Sequence, residues 1–145
     1  MTVALTHFLA TLAAALLGAA IGAEREWRRH PGGLRSCALV AAAACVFARI
    51  SVAYGGNNAG AALAAIATGV GFLGAGVILR QDGQVRGLST AATFWAVAAI
   101  GTATGLLEYA LAAGLTVVVF FAHMALRPLS AWIERVAPPA DPGPR

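Results

Sequence analysis

The run VALTHFLATLAAALLGAAIGA, residues 3–23, decides the architecture: it carries no formal charge, and EREWRRHPGGLR, residues 24–35 with four arginines, follows it directly. A helix crosses a hydrocarbon core of about 30 Å with about 20 apolar residues, and this run supplies them. Polar and apolar residues do not alternate in it, which excludes a barrel strand, and a helix satisfies every backbone donor internally, as lipid requires. A cleaved signal peptide carries its positive charge before the apolar stretch. Here only His7 lies at the N-terminal side and the arginines follow, so the run reads as an uncleaved span.

Working outward, four more runs have the same character: residues 36–54, interrupted only by Arg49, then 60–79, 89–107 and 109–126, the last slightly short. The chain is 59% hydrophobic and only 11% charged, with a mean hydropathy of +0.77. A soluble domain has about a quarter of its residues charged, so the lipid bilayer is the expected surrounding. The net charge of +4 comes from ten arginines, no lysine and six acids. In a soluble protein that excess would suggest nucleic acid. Here the arginines sit in the connectors at 24–35 and 80–88 and in the tail, so nucleic acid is not an expected partner and the charge reads as topology. Nine of the ten arginines fall on one side of a five-span arrangement. Because arginine-rich connectors stay in the cytoplasm, the expectation is an all-α, polytopic, multi-pass bundle of about five transmembrane helices, N-terminus outside and C-terminus inside.

Residues 1–127 form the expected transmembrane domain and 128–145 a cytoplasmic tail. In the tail Leu129, Trp132, Ile133 and Val136 follow helical spacing after Pro128, which predicts a short separate helix in the interface. Pro138-Pro139 is expected to end it before a disordered terminus. The first helix is expected to continue past the membrane, with Glu24 and Arg28 paired at i, i+4, until Pro31-Gly32-Gly33 stops it. Cys37 and Cys45 lie in one apolar run; they are too few for a disulfide framework and read as small packing residues.

Glycine is the most informative residue type. Gly18 and Gly22, and Gly101 and Gly105, are spaced four apart, the spacing that lets helix backbones approach closely in lipid. The third run holds Gly69, Gly71, Gly74 and Gly76. Gly69 and Gly76 share one face and Gly71 and Gly74 another, which predicts a central helix approached from two sides. The same glycines also fit a locally unwound segment lining a polar cavity, and spacing alone does not choose between them. Arg49 lies about five residues from the outer end of its run, about 7.5 Å along a helix. It can snorkel outward or pair with Glu108, the acid on that side. No Asp or Glu occupies the middle of a run, so a magnesium cage at the midplane, which would use carboxylates, is not expected, and the residues assign no metal ligands. Glu24, Glu26 and Asp82 at cytoplasmic run ends form, with nearby Arg25, Arg35 and Arg86, a candidate functional mouth; solvated or salt-bridged loop residues are the competing reading. His7, His30 and His123 are scattered, no nucleophile–base set or phosphate loop is present, and neither an enzyme nor a cofactor is expected. Residues 80–83 read as a turn around Asp82-Gly83, with Ser89 or Thr90 capping the fourth helix.

The segment GVGFLGAGVIL, residues 69–79, resembles the signature of the MgtC/SapB family of bacterial inner-membrane proteins. LGAAIGAERE at 17–26 resembles that family's first block. PGGLR at 31–35 followed by ALV at 38–40 resembles the second. VRGLSTAAT at 85–93, with Trp95 and then Ala99, Ile100 and Gly101, resembles the block after the signature. The likeness covers roughly residues 10–126. It implies a bacterial inner (plasma) membrane protein of about five spans, linked to magnesium homeostasis, growth at low magnesium, virulence inside host cells and acid resistance. Such proteins are described as magnesium transporters, or as regulators that inhibit the membrane ATP synthase. Where many members carry Asp, Arg and Gln at the entry to the third span, this chain has Asn58, Ala61 and Ala65, which puts any role of those groups in doubt. The chain also looks like a short, membrane-only member, since longer members add a cytoplasmic domain.

Three readings stay open: a regulator docked on another membrane complex, a magnesium or small-solute transporter or channel, and an apolar scaffold without a ligand. A homo-oligomer is expected. Glycine faces beyond the needs of internal packing would favour docking.

Overall fold

The computed structural model describes residues 2–81 and 84–137. Five long helices run up and down: α1 (Thr2–Trp27), α2 (Leu34–Tyr54), α3 (Ala59–Val77), α4 (Leu88–Gly105) and α5 (Tyr109–Val136). The chain is therefore all-α in class, as expected. Four of the helices, α1, α2, α3 and α5, are long and apolar enough to cross a membrane. The remaining one, α4, falls short in composition because it carries Ser89, Thr90, Thr93, Thr102 and Thr104. It is also the most enclosed helix, burying ten of its 18 residues against its neighbours. The short connectors place the C-terminal part of α1, the start of α2, the end of α3 and the start of α4 at one, arginine-rich end.

Helix α2 is clasped between α1 and α4. Its buried stripe is Cys37, Ala41, Ala44, Cys45 and Ala48, small residues that repeat about every four positions. On one side a Cβ added at Gly18 would lie 2.5 Å from Cys37 O, and one at Gly22 would lie 2.6 Å from Leu34 Cα. On the other side a Cβ at Gly105 would lie 2.5 Å from Cys45 O, and one at Gly101 would collide with Ala41 O. Both glycine pairs thus do the close-packing work their spacing predicted. Cys37 and Cys45 are free thiols packed between the helices.

Helix α3 differs from expectation. It is continuous from Ala59 to Val77, so its glycines are not an unwound segment, and it buries only Val70 and Gly74. Gly74 packs on Ala91, whose Cβ would lie 3.3 Å from an added Cβ; at Gly60, Gly69, Gly71 and Gly76 an added Cβ would meet nothing within 4 Å. The central position belongs to α4, which packs on α1, α2, α3 and α5, whereas only Gly74 of the α3 glycines faces a neighbouring helix.

The separate interfacial helix is also corrected. Helix α5 runs through Pro128 to Val136 without a break. Proline removes a single N–H, and helices in lipid commonly tolerate it. The amphipathic segment is the last part of α5. Helix α1 stops at Trp27, before Pro31. Arg29 takes the left-handed conformation at φ 58°, while His30 N donates to Arg25 O and Arg29 N to Glu26 O, both at 2.9 Å, the paired bonds of a Schellman stop. Leu107, at φ 66°, ends α4 in the same way through bonds to Ala103 O and Thr104 O.

Between α3 and α4 lies a hairpin of β1 (Leu79–Gln81) and β2 (Gln84–Arg86), with Leu79 opposite Arg86 and Arg80 opposite Val85. The expected turn at Asp82-Gly83 and the expected disordered end at 138–145 lie outside the described residues. Gly87 follows at φ 94° with Val77 O against it, a place where a side chain would be both strained and blocked. Gly87, not Ser89 or Thr90, is the N-cap of α4, and no side chain caps it.

Candidate functional site

Arg25 lies near the C-terminus of α1 and is 2% exposed. Its guanidinium donates from Nη1 to Thr93 Oγ1 at 2.9 Å and from Nη2 to Thr90 Oγ1 at 2.8 Å. Nη2 also donates to Pro31 O at 2.7 Å, and Nε donates to Gly32 O at 3.3 Å. One side chain thus ties α1, the 28–33 loop and the first turns of α4. The burial of a charge is tolerated only when its donors are matched, and four bonds match this one. The planar fork of arginine is what reaches acceptors on two segments at once.

Glu24, one residue earlier, points to the other side. Its Oε1 faces Arg28 Nε as the expected i, i+4 ion pair, although without the alignment of a good hydrogen bond. Its Oε2 is 3.3 Å from His123 Nδ1 on α5. His123 Nε2 is in turn 3.1 Å from Thr93 Oγ1. The Thr93 hydroxyl has one proton, and it goes to Ser89 O at 2.7 Å, since a carbonyl only accepts. Arg25 donates to that same oxygen, so His123 Nε2 bonds to it fully only as a donor. On its other side the ring turns Nδ1 toward the Glu24 carboxylate.

Glu24, Arg25 and His123 line a cavity of about 280 Å³ between the ends of α1, α4 and α5, walled also by Arg28, His30, Ser89 and Ser130. It is the polar cavity of the arginine-rich end. Of the candidate mouth, Glu24 and Arg25 belong to it. Glu26 does not: its Oε2 accepts from Leu34 N at 2.9 Å, supplying to the start of α2 the cap that Gly33 lacks. A Cβ on Gly33 would lie 2.6 Å from that oxygen. Arg35 and Arg86 are exposed and outside the cavity, and Asp82 lies outside the described residues. Among the described residues no three His, Cys, Asp or Glu side chains are grouped to hold a metal ion.

A second polar tie sits at the opposite end. Arg49 donates from Nε to His7 Nδ1 on α1 and from Nη1 to Gly105 O at 3.1 Å. Of the two readings of Arg49, the pairing with Glu108 is not found: Glu108 is exposed, and Arg49 instead meets His7 and the carbonyl end of α4, where a cation is favourable. Sequence reading missed His123, Thr90 and Thr93. His123 is an ionisable residue inside an apolar run, the kind of residue that marks a site in lipid. Thr90 and Thr93 are i, i+3 on one face of α4.

The MgtC family model matches residues 11–132. Protein MgtC of Salmonella typhimurium (strain LT2) is 45% identical over 130 residues, 90% of this chain and 56% of that protein. Protein MgtC of Salmonella typhi is 44% identical over 135 residues, 93% of this chain and 58% of that protein. Protein MgtC of Brucella abortus (strain 2308) is 43% identical over 132 residues, 90% of this chain and 56% of that protein. The chain thus spans a little over half the length of these curated relatives. No solved structure matches.

Proposed function

The chain belongs to the MgtC family, and from that premise we propose that it is a membrane protein of magnesium homeostasis or stress adaptation that docks on and regulates another membrane complex, the ATP synthase being the complex the resemblance points to. The observation that carries this reading is the outer face of α3. Gly60, Ala64, Gly71 and Ala75 are exposed and spaced i, i+4, i+11, i+15, which places them on one side of a helix. An added Cβ at Gly60 or Gly71 meets nothing. Glycine in a helix costs roughly 0.5–1 kcal/mol relative to alanine, and the chain's own packing returns nothing for it here. A close-approaching helix of a partner would.

The cavity lined by Glu24 and His123 favours the second reading, passage or binding of a solute. Magnesium, however, takes oxygen ligands in near-octahedral order, and the cavity's walls hold one carboxylate beside two arginines. Two measurements separate the readings. Gly71→Leu is expected to reach the membrane at normal abundance, to lose support of growth at low magnesium, and to lose co-purification with the partner complex. Magnesium flux into liposomes containing only this protein would replace the docking reading with transport.

A further inference from the structure

An apolar groove of about 690 Å³ runs between α2 and α3, lined by Leu39, Phe47 and Ile50 on one wall and Ala65, Gly69 and Leu73 on the other. It is separate from the outer α3 face used above and from the Glu24 cavity. Its length follows from the helical rise: Leu39 to Ile50 spans about 17 Å, close to the roughly 15 Å depth of one leaflet. The mouth supplies the second observation. Arg35 stands one turn above Leu39 on α2, exposed and with no ion pair or hydrogen bond among the described residues, and it is on the side of α2 that carries Leu39, Ala43 and Phe47. The hairpin that continues from α3 carries the exposed Arg80 and Arg86 on its two faces. An apolar slot of acyl-chain length beneath an unspent guanidinium, at the arginine-rich end of the bundle, has the charge pattern of a phospholipid.

We propose that the α2–α3 groove seats an acyl chain of an anionic phospholipid whose phosphate is held by Arg35. Arginine suits a phosphate because its planar fork presents paired donors. Anionic over neutral selection comes from the headgroup contact, and retention of the lipid from the groove.

The test uses the full chain purified from membranes, delipidated in mild detergent, and offered mixed micelles of phosphatidylglycerol or phosphatidylcholine, with retained lipid counted by native mass spectrometry. The expected result is retention of phosphatidylglycerol over phosphatidylcholine. Arg35→Gln is expected to lower that preference about fivefold, the worth of one basic residue at an anionic surface. Ala65→Phe, on an exposed groove wall, is expected to abolish retention of both lipids while thermal stability stays at the parent value. Inorganic phosphate is expected not to compete, which separates a lipid headgroup from a free anion. Equal retention of the two lipids, retention unaffected by Ala65→Phe, or displacement by phosphate alone would overturn the proposal. So would a dimer that Ala65→Phe dissociates, since a second copy would then be the occupant.

Discussion

At the scale of single residues, two neighbours in the first block have different tasks, and their side-chain geometry separates them. Arg25 is a tie: replacing it by Ala removes four hydrogen bonds, to Thr90, Thr93 and the Pro31 and Gly32 carbonyls, from a buried site. Buried polar groups left unmatched cost about 1–3 kcal/mol, so the unfolding temperature in detergent is expected to drop sharply. Arg25→Lys should recover only part of it, because lysine keeps the charge and lacks the fork; full recovery would refute the bridging role. Glu26 is a cap, and Glu26→Ala is expected to cost about 1 kcal/mol and to lower membrane abundance in step with activity. Glu24→Gln is different. It keeps a hydrogen-bonding oxygen toward His123, so abundance should hold while growth at low magnesium falls. Normal growth of that variant would remove Glu24 from the functional site. The sequence showed that Glu24, Arg25 and Glu26 stand at a helix end, since the charges follow the apolar run. It did not show that one is buried, one caps a neighbour and one lines a cavity: the cap depends on how the 28–33 loop returns Leu34 N to Glu26, and the other two outcomes depend on Thr90, Thr93 and His123, at least 65 positions from Arg25.

At the scale of elements, small residues decide which helices touch, and sequence spacing revealed part of this. The glycine pairs of α1 and α4 were legible because i, i+4 spacing fixes a face without reference to anything else. The role of α3 was not legible, since glycine spacing is the same whether the face meets a helix of this chain or nothing. Two paired substitutions separate the cases. Gly101→Ala puts a methyl group into the Ala41 carbonyl and is expected to destabilise by about 1–3 kcal/mol. Gly71→Ala meets open space and is expected to stabilise α3 by roughly 0.5–1 kcal/mol. Thermal unfolding of both purified variants checks this, and equal effects would mean that α2 is not clasped as described. The β1–β2 hairpin escaped the sequence reading because strands of three residues leave too short a pattern to register. The continuity of α5 escaped because proline marks a possible helix start and a tolerated interior position equally well.

At the scale of the whole molecule, the arginine asymmetry and the helix order make one joint prediction about the membrane. The connectors at residues 55–58 and 106–108 lie at one end of the bundle, and the 28–33 loop and the hairpin at the other. If all five helices cross and the arginine-rich end faces the cytoplasm, Asn57 and Glu108 are outside and Arg29 and Arg86 inside, all four being exposed. The native thiols do not interfere, since Cys37 and Cys45 are 0% exposed and only accessible thiolate reacts. Single cysteines at the four positions, treated on intact cells with a membrane-impermeant thiol reagent, are therefore expected to label at Asn57→Cys and Glu108→Cys. Arg29→Cys and Arg86→Cys are expected to label only after permeabilisation. A fully reversed pattern would keep five crossings and invert the orientation. Labelling of Arg86→Cys and Glu108→Cys from the same side would mean that α4, the helix too polar to pass as a span by composition, does not cross. That outcome would leave Thr90, Thr93 and the Arg25 tie at an interface instead of packed between spanning helices, and the packing makes it the less favourable arrangement: the start of α4 supplies two of the four partners of the buried Arg25, and α4 buries residues from Thr90 to Gly105 against its neighbours along its whole length.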